Sequence, residues 1–311
     1  MRSLALEQLE HRRVLATTVD TPLDVIDSTD GLTTLREAIA EANANPGSTI
    51  SFDDTVFNGE LVDVIRLGSQ LPSITADVTI DATGTTEVVI SGDVNGDDTP
   101  VAGTKLTDLS ATATTELDDN VRLLEVSAGS TTLMGLTLTG GRTTGAVEPG
   151  GAVLFNSNGS LMVGSSLISG NSTEGFVSYG GAIHAVGAVT LMDSDVRGNR
   201  TIGPYAEGGG ISSLGGVTLT GSRVEGNSTA SGGSRGGGIS SAADVSLMNS
   251  TVSGNSTAGV SSKGGGISTV GSVTLMASTV SDNRTEDAAS QGGGIYSLGN
   301  VTTYDSTVSG N

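Results

Sequence analysis

The chain has 311 residues, 14 basic against 34 acidic, for a net charge of −20. That balance argues against nucleic acid and anionic membranes as partners. With no cysteine and no tryptophan, a disulfide framework and a thiolate metal site are excluded, and few large rings are available for a conventional core.

Residues 1–18, MRSLALEQLEHRRVLATT, interleave Leu4, Leu6, Leu9 and Leu15 with Glu7, Glu10, His11, Arg12 and Arg13. A short amphipathic helix or a loose tail both fit this pattern, and the continuous apolar core of a secretory signal is missing. The LEQLEHRRVLA segment resembles the short N-terminal motif of large exported proteins in planctomycete bacteria, which implies an export-type leader. Residues 19–53 form a linker and a helix. Thr34 is a good N-cap with Glu37 three residues on, and Leu35, Ala38, Ile39 and Ala42 share one face. Pro46-Gly47 ends the helix ahead of a first strand expected at Thr49–Phe52, so the helix is expected to cover the open end of whatever follows.

Residues 54–148 carry strand-like pieces without strict period: DVIRLG, ADVTIDATG, TEVVISGD, NVRLLEVS and TTLMGLTLTGG. Leu133 and Leu138 lie 30 residues before Val163 and Ile168, so a stacking register begins here. An acidic, Thr-rich interruption runs from Asp93 to Asp119. Within it Asp93, Asn95 and Asp97 resemble the start of a calcium loop. Thr104 stands where a bidentate Glu belongs, however, and the glycine is misplaced, so the segment reads as an acidic surface turn.

From residue 149 to 311 one phrase recurs, as in GGGISTVGSVTLMASTVSDN. Isoleucines fall at Ile183, Ile211, Ile239, Ile267 and Ile295, every 28 residues. Valines repeat at Val189 to Val301 and at Val196 to Val308, and asparagines at Asn171 to Asn311. Short β-branched alternations flanked by Gly, Ser and Asn are strands, and the unit has no room for a helix. The expectation is an all-β, right-handed, single-stranded parallel β-helix with three strands per 28-residue coil and a short N-terminal helical cap. The asparagines are expected to bond along the stack and to accept left-handed corner geometry. The glycine runs are expected to allow positive φ or close backbone approach.

DGLTTLREAIAEANANPGSTISF resembles the "CSLREA" module that precedes β-helix repeats in bacterial surface proteins, with Thr33 and Thr34 where that motif has Cys and Ser. The GGAI at Gly180–Ile183 and the VxxN or IxxN closures resemble repeats of polymorphic outer-membrane proteins. These resemblances imply a capped, extracellular or cell-surface solenoid.

Candidate chemistry is sparse. His184 occupies a column otherwise held by Ser212, Ser240, Ser268 and Tyr296, and reads as a surface variant of a serine ladder. Asp195 lies under Arg223 and Arg197 under Glu225, which reads as structural pairing across coils. Met134, Met192, Met248, Met276 and Tyr304 share a column. It is either an outward binding stripe or corner packing, and corner packing is the reading adopted. The Asn-Ser-Thr and Asn-Arg-Thr triplets match glycosylation acceptors, but the repeat's corner accounts for them. The variable segments EGFVSY, IGPYAE, ASGGSR, AGVSSK and EDAASQ are expected to stack as loops along one edge, where recognition resides.

No catalytic, cofactor-binding or metal-binding residue is assigned. The expected function is structural or adhesive, with cell-surface or matrix proteins or polysaccharides as partners and no membrane insertion. The alternative is a glycan-active β-helix enzyme with acidic residues converging in 54–148. Because the last unit stops on Asn311, the rod is expected to continue into further sequence or to be covered by another molecule.

Overall fold

The computed structural model describes residues 16–58, 64–95 and 119–311. It is a right-handed parallel β-solenoid whose strands stack into four sheets of 10, 9, 7 and 6 strands. The coil at Ile183–Thr201 shows the plan. Ile183–Ala185 belongs to the first sheet, Ala188–Met192 to the second, Asp195–Arg197 to the third and Arg200–Thr201 to the fourth. The fourth strand, directly after each corner asparagine, adds to the three expected per coil. At two or three residues it is too short to show alternation.

The 28-residue register holds throughout the regular coils. Ile183 pairs with Ile211, Val189 with Val217 and Val196 with Val224, and each column continues to the last coil. Apolar residues at these inward positions are fully buried from Ile183 to Val280, and one continuous core runs the length of the body. Earlier coils keep the columns with longer spacings: Leu133 pairs with Val163 and Leu138 with Ile168, as expected. The strand-like pieces of 54–148 all appear as short strands.

At the N-terminal end the first strand in order is β1 (Ala16–Val19), not Thr49–Phe52. It pairs in parallel with β2 (Ser48–Phe52), so Ala16–Thr18, grouped above with the leader, belong to the solenoid. The leader-type residues 1–15 lie outside the described residues. Helix α1 (Leu35–Ala44) has the anticipated capping box between Thr34 and Glu37, and buries Leu35, Ala38, Ile39 and Ala42. It packs on β1 and β2 and so closes this end of the core. Arg36 anchors it, donating to Asp24 at 2.9 and 2.7 Å and to the carbonyls of Gln70 and Ser69.

The asparagine column forms the ladder the repeat implies. Asn227 Oδ1 accepts from the main-chain N–H and the side-chain amide of Asn199, both at 2.9 Å. Its own Nδ2 donates to Val196 O at 2.9 Å and to Asn255 Oδ1 at 3.0 Å. The left-handed residue is not the asparagine but the one before it: Gly198 and Gly226 at φ 62° and 61°, and Asp282 at φ 57°. A freely rotating Gly there lets the asparagine keep an ordinary backbone and turn its amide along the stack. A serine ladder runs parallel to it: the N–H groups of Ser194, Ser222 and Ser250 each donate to the serine hydroxyl 28 residues on, at 3.1 Å. In the glycine triples the two roles are divided. Gly236 has φ 60°, whereas a Cβ on Gly237 would lie 2.3 Å from Ser256 O and 2.4 Å from Gly265 O.

The fourth sheet faces inward with threonines: Thr173, Thr201, Thr229 and Thr257 pair in succession and are buried. Their hydroxyls have no hydrogen-bond partner.

Candidate functional site

Two neighbouring features on one side of the rod concentrate exposed and charged groups. The first is the loop crest between the fourth and first sheets. The variable segments stack as expected, their main chains bonded coil to coil by Glu207 N–H to Ser178 O, Arg235 N–H to Ala206 O and Lys263 N–H to Ser234 O. On this crest Val147, Phe176, Tyr205 and Val260 are each about 60–70% exposed. Ion pairs brace its base, with Arg142 2.7 Å and Arg200 3.7 Å from Glu174.

Beside the crest a trough runs along the rod axis over the outer face of the first sheet. One wall is the loop column Glu207, Arg235 and Lys263, joined by parallel bridges. The other wall is Leu214, Val270 and Leu298, all more than half exposed, with Ala242 standing between Leu214 and Val270. Ser240 and Ser268 form the floor. The trough encloses about 110 Å³, well below the roughly 300–1,000 Å³ of an enclosed small-molecule site. It is too small to engulf a ligand of that size.

Charges in this wall lean onto the floor one coil further on. Glu207 accepts from Ser240 Oγ at 3.2 Å and lies 3.6 Å from Arg235. Lys263 Nζ donates to Tyr296 Oη at 3.2 Å and sits 4.7 Å above the Tyr296 ring. His184 is covered from within its own coil. Tyr179 stacks on its ring at 5.5 Å, and its Nδ1 lies 3.4 Å from Ser212 Oγ. His184 is therefore buried, against the expectation of a surface position, because the loop column roofs the serine column. Ser212, Ser240 and Ser268 are buried with it. Burial, reinforced by the Arg122 charge, pushes the imidazole pKa down to about 4, so the ring is neutral at neutral pH.

The methionine column is outward. Met192, Met248, Met276 and Tyr304 are 43–58% exposed on the second sheet, which overturns the corner-packing reading. The preceding leucine fills the interior position, and strand alternation sends the next side chain out. The charges of the third sheet have the expected register, Asp195 on Arg223 and Arg197 on Glu225. Near them an open depression is lined by Glu87, Asp193, Asp195 and Arg223, and burial raises the carboxyl pKa of Glu87.

Asp93, expected at the surface, is fully buried beside Gly140, with its N–H donating to Ser91 Oγ. Asp97 and most of the interruption up to Asp119 lie outside the described residues. Among the described residues no three His, Cys, Asp or Glu groups are placed to hold a metal ion, and no helix is long and apolar enough to cross a membrane. The acceptor-like Asn171, Asn199, Asn227, Asn255 and Asn283 are fully buried. The trough itself went unread in the sequence. Its only linear signals are the lone Lys263 and Arg235 before their glycine triples and the Leu214, Ala242, Val270, Leu298 column. No family model matches this chain, and no curated protein does.

Proposed function

We propose that this chain is a non-catalytic, adhesive rod of the bacterial surface or extracellular matrix. The resemblance of the LREA-bearing helix and of the GGAI at Gly180–Ile183 to CSLREA-capped surface solenoids, read from the sequence, supports this reading. The observation that carries the proposal is the unbroken coil-to-coil register beneath a crest of exposed Phe176, Tyr205 and Val260. A stiff scaffold holding apolar side chains out on stacked loops supports contact with a partner. Retention of protein-coated beads on immobilised matrix protein and polysaccharide tests this. The triple variant Phe176→Ser, Tyr205→Ser, Val260→Ser should lose most of the retention while its melting temperature holds. Unchanged retention would sink the crest as the contact surface.

The second reading, a glycan-active enzyme, is favoured by one observation. Glu87, with its raised pKa, shares an open depression with Asp193 and Asp195. Sustained turnover of an acidic polysaccharide, abolished by Glu87→Gln, would replace the adhesive reading with this one.

A further inference from the structure

We infer that the trough beside the crest is a docking site for an acidic peptide segment that also carries an apolar side chain. The inference rests on the contact role proposed above and names a partner class for it.

Charge comes first. The chain carries −20 overall, yet Arg235 and Lys263 are bridged neighbours in one wall. Glu207 lies 3.6 Å from Arg235, while Lys263 finds the hydroxyl and ring of Tyr296 instead of a carboxylate. This wall thus holds two cations against one anion on an otherwise acidic rod. An incoming carboxylate completes the pairing that the rod leaves open, and the surrounding negative field rejects anions elsewhere.

Shape comes second. Leu214, Ala242, Val270 and Leu298 are equivalent positions of successive coils, and only Ala242 is small. Leu214 and Val270 therefore stand two coil rises apart, about 9.6 Å at ~4.8 Å each, with a notch between them over Ala242. One apolar side chain fits that notch directly across the trough from the cations. An aliphatic anchor in a notch with charge opposite is the pattern of a peptide contact.

A sugar chain fits less well. Rings of sugars stack on aromatic faces, but the Tyr296 face is taken by Lys263 and the Tyr179 face by His184. The free wall is aliphatic.

The test is fluorescence anisotropy with two labelled pentapeptides, Glu-Leu-Glu-Leu-Glu and Lys-Leu-Lys-Leu-Lys, on the full chain. Three variants are compared: Lys263→Glu, Arg235→Glu and Ala242→Phe. Circular dichroism and melting temperature verify that each is folded. The acidic peptide should bind, the basic one should not, and rising salt should weaken binding. Either charge reversal should cost at least tenfold. Ala242→Phe should cost a comparable factor with every charge intact, because it fills the notch. Absence of binding, or binding indifferent to Ala242→Phe, overturns the inference. Stronger binding of an oligogalacturonate that displaces the peptide overturns it in favour of a carboxylated glycan. Bead retention is read in parallel. If retention persists in Lys263→Glu while the peptide never binds, the trough is rejected and the adhesive role stands. If the peptide binds but the beads are not retained, the adhesive role fails by itself.

Discussion

The asparagine corner and the loop edge belong to the same 28-residue unit, but they obey opposite rules. At the corner Asn171, Asn199, Asn227, Asn255 and Asn283 are fully buried and one side chain recurs from coil to coil, since each amide must satisfy the coil on either side. At the loop edge the main chain still bonds from coil to coil, while the side chains change from Tyr179 to Glu207, Arg235, Lys263 and Gln291 in a single column. The rod thus confines identity to positions where a neighbour has no alternative partner, and varies where water can serve instead. Invariance and variation are kept to separate columns of one coil.

The sharpest challenge to this contrast is Asn227→Ala. It removes four hydrogen bonds and leaves the buried main-chain N–H of Asn199 without its acceptor, while the Asn199 side-chain amide keeps Ile168 O and Arg197 O. At about 1 kcal/mol for each hydrogen bond lost, we expect a loss on the order of 4 kcal/mol in urea unfolding. A loss under about 1 kcal/mol would deny the corner its role.

His184 probes the roofed part of the loop side by pH. The unfolded imidazole takes up a proton near 6.5, whereas the folded one does so only near 4. The unfolded state therefore binds more protons as pH falls. Stability is whole above pH 6.5 and declines as pH drops toward 4, by on the order of 3 kcal/mol. His184→Ser, which restores the residue of the column, should remove that part of the decline. Identical pH curves for the two proteins would show that the ring is open to water.

Thr229→Val tests a position that is buried like the corner but unpaired. Its hydroxyl is desolvated and has no partner, so the isosteric change should leave stability level or raise it by up to about 1 kcal/mol. A clear loss would mean that the hydroxyl is bonded. Smallest of all, Val260→Ser on the crest should stay within about 0.5 kcal/mol. A larger drop would make the crest part of the scaffold.

The period, the three inward columns, the capping helix and the asparagine ladder were all legible in the chain. Each arises from a side chain meeting its own equivalent 28 residues on, or from a local signal such as Thr34 with Glu37. Column identity along the sequence therefore is contact identity in space. The two-residue strand after each asparagine was not legible, because Ser172-Thr173 and its successors are too short to alternate.

What the tertiary structure alone decided is which outward columns are open. Nothing in the spacing distinguishes His184, roofed by Tyr179, from Met192, left in solvent. The same holds for the trough. Lys263 and Val270 stand seven residues apart, yet they become opposite walls because the first-sheet strand at Ile267–Thr269 runs between them. Neighbours along the stack follow from the repeat. Neighbours across the section of a coil depend on how sharply each corner turns and how far each loop leans, and those are set by packing.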